Sequence, residues 1–238
     1  MNLLGSTSIQ PFAEILAEHY EKKYPGQFAE VQGGGSTAGL QAAEHGLADI
    51  GMCSRSLTTK ESRLFTEILI ARDGLAIVVN PENPVSRLSL EQLRALFAGR
   101  IANWSEVGGK NGSVWPITRE EGSGTRESFV RLIMGAERIS RRALTQESNG
   151  AVKELVKGDP SAIGYMSLGL VGKDLKPVTV DGAEPTVENV LAGRYHLVRP
   201  LLFVTKGAAN SAARKFVDFV LSSDGQRLLA TEGLVRVR

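Results

Sequence analysis

The stretch Arg119-Glu120-Glu121-Gly122-Ser123-Gly124-Thr125-Arg126-Glu127-Ser128-Phe129 decides how this chain is read. Glycines alternate with hydroxyl residues in it. Strand chemistry precedes it (Val114, Trp115, Pro116, Ile117), and Phe129, Leu132 and Ile133 follow on one helical face. A strand therefore turns into a helix through a glycine loop. Such a turn leaves backbone N–H groups at the helix start, where the helix dipole favours negative charge. Ser123 and Thr125 add hydroxyls, and Arg119 adds a planar fork of N–H donors suited to an oxyanion. An ordinary capped helix behind a turn is the bland alternative. A Walker loop is excluded, because no Lys follows the last glycine.

Working outward, the same kind of ending recurs. Asn2-Leu3-Leu4 reads as a strand, Gly5-Ser6-Thr7-Ser8 ends it, and a helix runs from about Ile9 to Tyr24. Pro11 is tolerated there within the first turn, and Ser8 has the chemistry of an N-cap. Val31-Gln32 ends a second strand before Gly33-Gly34-Gly35-Ser36-Thr37. The helix that follows, from Thr37 to His45, stops at Gly46. A third strand, Ala48 to Met52, ends at Cys53-Ser54-Arg55, which supplies more donors. In open α/β sheets ligands bind beyond the carboxyl ends of strands. The repetition points to one oxyanion gripped by several helix starts.

The remainder is read as framework. Leu75 to Asn80 is a strongly apolar strand. Ser89 caps a helix from Leu90 to Ala98, with Gln92 completing a capping box and Gly99 ending it. Trp104, in the loop 103–109, is a packing anchor. A basic helix is expected to carry Arg138, Arg141 and Arg142. Ser148-Asn149-Gly150 opens a helix from Ala151 to Lys157, Ala162 to Tyr165 is a strand, and Thr186 starts a short helix. Leu197 to Thr205 is strand-like but holds Pro200, so an edge or a crossing segment is expected. The last forty residues are helical.

If both long apolar strands cross between lobes, 1–78 plus 200–238 form one lobe and 79–199 the other. The expected architecture is α/β and two-lobed, each lobe a mixed sheet flanked by helices, joined by a two-strand hinge. The loops 5–8, 33–37 and 53–55 then fall on one lobe and 119–125 on the other.

Composition narrows the function. Lys plus Arg number 28 against 26 for Asp plus Glu, a net charge of +2 without a dense basic run, so nucleic acid is not an expected partner. Cys53 is alone, which rules out an internal disulfide, and His19, His45 and His196 lack metal-ligand spacing. Neither a metal nor a cofactor is expected. No apolar run approaches the ~20 residues of a membrane span. The N-terminus enters a strand at once, which leaves a cytosolic protein or one whose export signal has been removed. No nucleophile or paired-carboxylate cluster accompanies the site loops, so the chain is expected not to be an enzyme. A phosphoryl-transfer enzyme is the weakest alternative.

Seven pieces, GSTSIQPF, VQGGGSTAGL, ADIGMCSRSL, LFAGRIANWSEVGG, TREEGSGTRESF, NGAVKELV and SAIGYMSLG, together resemble the phosphate-binding protein of bacterial phosphate ABC transporters, in that family's order and spacing. The resemblance implies a type II periplasmic-binding fold, a phosphate ligand, a membrane permease as partner, a monomeric state and a periplasmic or extracellular, membrane-anchored location. Residue by residue, it implies that Arg119, Ser123, Gly124 and Thr125 are the family's arginine and anion loop. Ser36 matches its glycine-loop serine, and Ser6, Thr7 and Ser8 its N-terminal hydroxyl loop. One position departs. Many members carry an aspartate after the third strand, accepting a hydrogen bond from protonated phosphate, and here Ser54 takes its place. Discrimination against sulfate then falls to Glu121, Ser54 or backbone carbonyls, and another tetrahedral oxyanion (sulfate, molybdate or tungstate) is the alternative ligand.

Overall fold

The computed structural model describes residues 1–237. The chain opens as expected, with strand β1 (Asn2–Gly5) leading into helix α1 (Gln10–Lys23), whose Pro11 sits in the first turn. Strand β2 (Glu30–Gly33) precedes helix α2 (Ser36–Glu44), and Gly46 follows its end at φ 70°. Then come β3 (Ile50–Cys53) and a long β4 (Phe65–Val79).

After a short β5 (Arg87–Leu88), helix α3 (Leu90–Ala98) carries the predicted capping box of Ser89 and Gln92 and closes on Gly99 at φ 80°. Strand β6 (Trp115–Arg119) runs into α4 (Gly124–Phe129), which continues as a single π turn to Met134. Strand β7 (Leu144–Gln146), helix α5 (Asn149–Gly158), strands β8 (Ala162–Ser167), β9 (Lys176–Pro177) and β10 (Thr179–Val180), and helix α6 (Val187–Leu191) follow. Strand β11 (Val198–Lys206) and helices α7 (Ser211–Leu221) and α8 (Ser223–Thr231) complete the order.

One expected element does not form. Arg138, Arg141 and Arg142 lie in an irregular stretch, not a helix. Gly135, at φ 61°, ends the preceding turn, and the Ser140 amide donates to the Phe97 carbonyl at 2.8 Å, which ties the segment to the end of α3. Trp104 is the expected anchor: it is buried and its indole N–H donates to the Ser161 carbonyl at 3.0 Å.

The chain divides into two compact units. Unit 1 comprises Met1–Asp73, Gly122–Gly124 and Arg199–Arg238, and unit 2 comprises Gly74–Glu121 and Thr125–Val198. The division falls within β4, between Asp73 and Gly74, and at the head of β11, between Val198 and Arg199, so that Pro200 lies in unit 1. In unit 1 the strand order is β2-β1-β3-β11, with β1 parallel to β2 and β3, and β11 antiparallel to β3. In unit 2 it is β4-β8-β6-β7, with β4 antiparallel to β8 and the other pairs parallel. Both sheets are mixed and flanked by helices.

The apolar run of β4 is continuous because both of its faces are covered. Leu75, Ile77 and Val79 join a core with Phe97, Trp104, Phe129 and Tyr165, while Ala76 and Val78 pack with Val152, Val156 and Met166. In unit 1 helix α2 meets the backbone of β1 and β3 directly at Gly39. A Cβ on Gly39 would stand 2.6 Å from the Leu4 carbonyl, and one on Gly51 2.5 Å from the Gly39 carbonyl. That close approach sets the start of α2 beside the ends of two strands.

Candidate anion-binding site

Within unit 1, three serines from three loops converge. Ser36 heads α2, Ser54 follows β3 and Ser8 precedes α1, and all are fully buried. The Ser36 hydroxyl oxygen accepts from the Ser54 amide at 3.0 Å and lies 3.4 Å from the Ser54 hydroxyl. Gly124 closes on the same pair: a Cβ there would stand 2.2 Å from Ser36 Oγ and 2.7 Å from Ser54 Oγ. Gly122, at φ 86°, accepts from the Thr37 amide at 3.0 Å and so anchors the glycine loop on the first turn of α2. Ser123 is buried in this loop, and Ser6, also buried, accepts from the Ser8 amide at 3.2 Å. Thr7 is partly exposed.

Ser8 is not the cap of α1. Ile9 occupies the N-cap position without a side-chain cap, and the Ser8 hydroxyl accepts from Arg199 Nη2 at 3.0 Å. Arg199 was not among the expected site residues. Its Nη1 reaches Ser54 Oγ at 3.4 Å, and its Nε and Nη2 both donate to Asp73 Oδ2, at 3.0 and 2.9 Å. Both side chains of this ion pair are fully buried. The trace in the sequence is charge set into two apolar strands, Arg72 and Asp73 in ARDGLAIVV and Arg199 in VRPLLFVT.

In unit 2 the end of β6 is fixed by β8. The Tyr165 hydroxyl bonds Thr118 Oγ1 at 2.7 Å and accepts from the Arg119 amide at 3.2 Å, and its ring stacks on Phe129 at 3.9 Å. Arg119 is buried and heavily engaged. It meets Glu120 through two N–H groups at 2.9 Å each, and donates to the carbonyls of Gln146 and Glu147 at 3.1 Å each. Thr125 is buried in the first turn of α4.

The chain matches the PBP superfamily domain over residues 2–224. The phosphate-binding protein PstS of Bacillus subtilis is 32% identical over 98% of this chain and 78% of its own length. A protein of Clostridium perfringens, solved with bound phosphate and assigned to a phosphate ABC transporter, is 38% identical with a TM-score of 0.97, covering 100% of this chain and 99% of its own. An ABC-type phosphate transport receptor from Vibrio cholerae is 37% identical with a TM-score of 0.82 over 99% of both chains. The chain belongs to the PstS family of the PBP superfamily.

As a PstS-family protein it carries glycine–hydroxyl loops, and the residues beside Ser54 are fixed by contacts of their own. Arg55, read as a further anion donor, is turned aside. Its Nη1 and Nη2 pair with the two oxygens of Glu61, each at 2.8 Å. Those bonds, with further ones from Thr58, hold the Glu61 carboxyl down at about 2. Glu121, a candidate discriminator of ligand protonation, is exposed. Asp49 is structural: it accepts from the Asn2 amide at 2.8 Å and from Asn210 at 2.6 Å. Burial pushes the Cys53 thiol up, so it stays protonated and is a poor nucleophile.

Proposed function

We propose that this protein captures inorganic phosphate outside the cytoplasmic membrane, as a monomer, and delivers it to the permease of a phosphate ABC transporter without chemistry of its own. The observation that carries the reading is the whole-chain likeness to the Clostridium perfringens protein solved with bound phosphate. The converging hydroxyls of Ser8, Ser36 and Ser54 beside Gly124 support it from within the chain. Ser6, Thr7, Ser123, Arg119 and Thr125 are assigned to phosphate as well, each open to test by its own substitution.

A titration calorimeter tests the proposal directly, with a phosphatase assay run alongside. Saturable one-to-one phosphate binding without release of phosphate from a phosphoester supports it. Absence of heat with phosphate, or turnover of the ester, sinks it. A second reading, a receptor for sulfate, molybdate or tungstate, is supported by Ser54 standing where the family's aspartate is expected.

A further inference from the structure

Inside unit 1, the end of α1 and the corner between α7 and α8 enclose a cavity of about 630 Å³ that shares no residue with the serine cluster. A cavity of that size is within the range that holds a small organic molecule. We propose that it is a separate binding site for a free aromatic amino acid, whose ring lies against Tyr24 and Phe219 and whose two charges meet Lys215 and Asp218.

The walls of the cavity are aromatic. Tyr20 and Phe219 are 2% and 4% exposed, and their ring centroids stand 5.5 Å apart. Tyr24 lies 5.1 and 6.4 Å from the same two rings and is itself 42% exposed, so part of its ring is uncovered. Rings so placed hold a further ring by offset or edge-to-face contact, beyond the burial of its area. Lys23, which also lines the cavity, is committed. It pairs with Asp224 at 2.7 Å and stands 5.9 Å from the Tyr24 and Phe219 ring centroids.

Three polar groups of the lining are not committed. The Tyr20 hydroxyl, Lys215 Nζ and the Asp218 carboxylate make no hydrogen bond or ion pair with any described residue. A polar atom on a side chain as buried as Tyr20 ordinarily has a partner. Burial, with Tyr24 beside it, pushes that hydroxyl up, so it keeps its proton as a donor. Lys215 and Asp218 are exposed and three residues apart on α7. Side chains at that spacing are neighbours on a helix surface, with Cβ atoms about 5–6 Å apart.

A cation and a carboxylate this near, and not paired with each other, match a ligand with both charges on one carbon. An α-amino acid is such a ligand: its carboxylate answers Lys215 and its ammonium answers Asp218. A carboxylate alone would be opposed by Asp218, and an amine alone by Lys215. The Tyr20 hydroxyl is the donor left for the second carboxylate oxygen, and the aromatic walls take the side chain.

The test is calorimetry on the full chain with L-phenylalanine. Saturable one-to-one binding with a dissociation constant below about 1 mM is expected. L-Alanine, which lacks the ring, should not bind in that range. N-acetyl-L-phenylalanine and L-phenylalaninamide each lack one charge and imitate the two ends of a peptide. Each should bind about fivefold more weakly, the weight of one exposed charge pair. A dissociation constant above about 1 mM for L-phenylalanine, or one below it for L-alanine, would overturn the proposal. So would either derivative binding as tightly as the free amino acid.

Variants assign the contacts. Lys215→Gln should remove the advantage of L-phenylalanine over its amide, and Asp218→Asn its advantage over the N-acetyl form. Both residues are exposed, so neither change touches the core. Tyr20→Phe keeps the ring and should weaken L-phenylalanine by about three- to tenfold. Side chains with a packing role alone would leave all three readings unmoved, which overturns the inference. Saturating phosphate should not alter the affinity for L-phenylalanine. Competition between the two would move the amino acid into the serine cluster and overturn the separate site.

Discussion

At Gly124 one methyl group separates an open cradle from a filled one. Its Cβ would fall 2.2 Å from Ser36 Oγ, and that hydroxyl is held in place by the Ser54 amide. Gly124→Ala is expected to weaken phosphate binding at least tenfold and to cost about 1–3 kcal/mol of stability, as overpacking does. Calorimetry and a urea melt measure the two, and an unchanged affinity would remove Gly124 from the site. Arg119 carries a double burden. Its charge suits an anion, but its N–H groups also hold Glu120 and two carbonyls beside β7. Arg119→Ala should therefore lower phosphate affinity by about ten- to a hundredfold and lower the melting temperature as well. A variant that melts lower yet binds unchanged would assign Arg119 a structural role alone.

At the scale of an element, the segment leaving β3 is governed by an ion pair more than by a ligand. Arg55 and Glu61 clamp the short turn after Thr58, whose amide and hydroxyl also donate to Glu61, at 2.7 and 3.0 Å. The folded state holds the Glu61 carboxyl near 2, against an ordinary 4.5. A group depressed on folding stabilises fully above its unfolded value, and that contribution is lost as the pH falls from about 4.5 toward 2. Glu61→Gln should cost about 1–2 kcal/mol at neutral pH, the range for a charge-assisted pair partly open to water. It should also flatten the stability loss between pH 5 and pH 2. Urea midpoints of both proteins across that window measure it, and parallel curves would refute the coupling.

For the whole molecule, a ligand that binds only the folded chain stabilises it by mass action. Phosphate at about a hundredfold above its dissociation constant should add roughly 2.7 kcal/mol and raise the melting temperature accordingly. Differential scanning measures the shift against a chloride control of equal ionic strength. A melting temperature indifferent to phosphate but raised by molybdate would favour the second ligand reading.

The local vocabulary of the fold was legible from the sequence. Ser89 with Gln92, and Ser148 before Ala151, mark helix starts through contacts three residues long. The unbroken apolar run of β4 marks a strand covered on both faces. The hydroxyl-bearing loops ending β1, β2, β3 and β6, three of them with glycine, were likewise plain, because their chemistry is written within five residues. What tertiary structure decided is how those hydroxyls are used. Ser8 looks like a cap and serves Arg199, 191 residues away, while Arg199 finds Asp73 across 126 residues. Arg55 looks like a ligand donor and is spent on Glu61. The Gly122–Gly124 loop packs with unit 1 although its flanks belong to unit 2. Periodicity and capping are short-range effects that repeat along the chain, and so they leave a pattern. A buried ion pair between distant residues repeats nothing, and its partners become identifiable only when the strands carrying them are brought side by side.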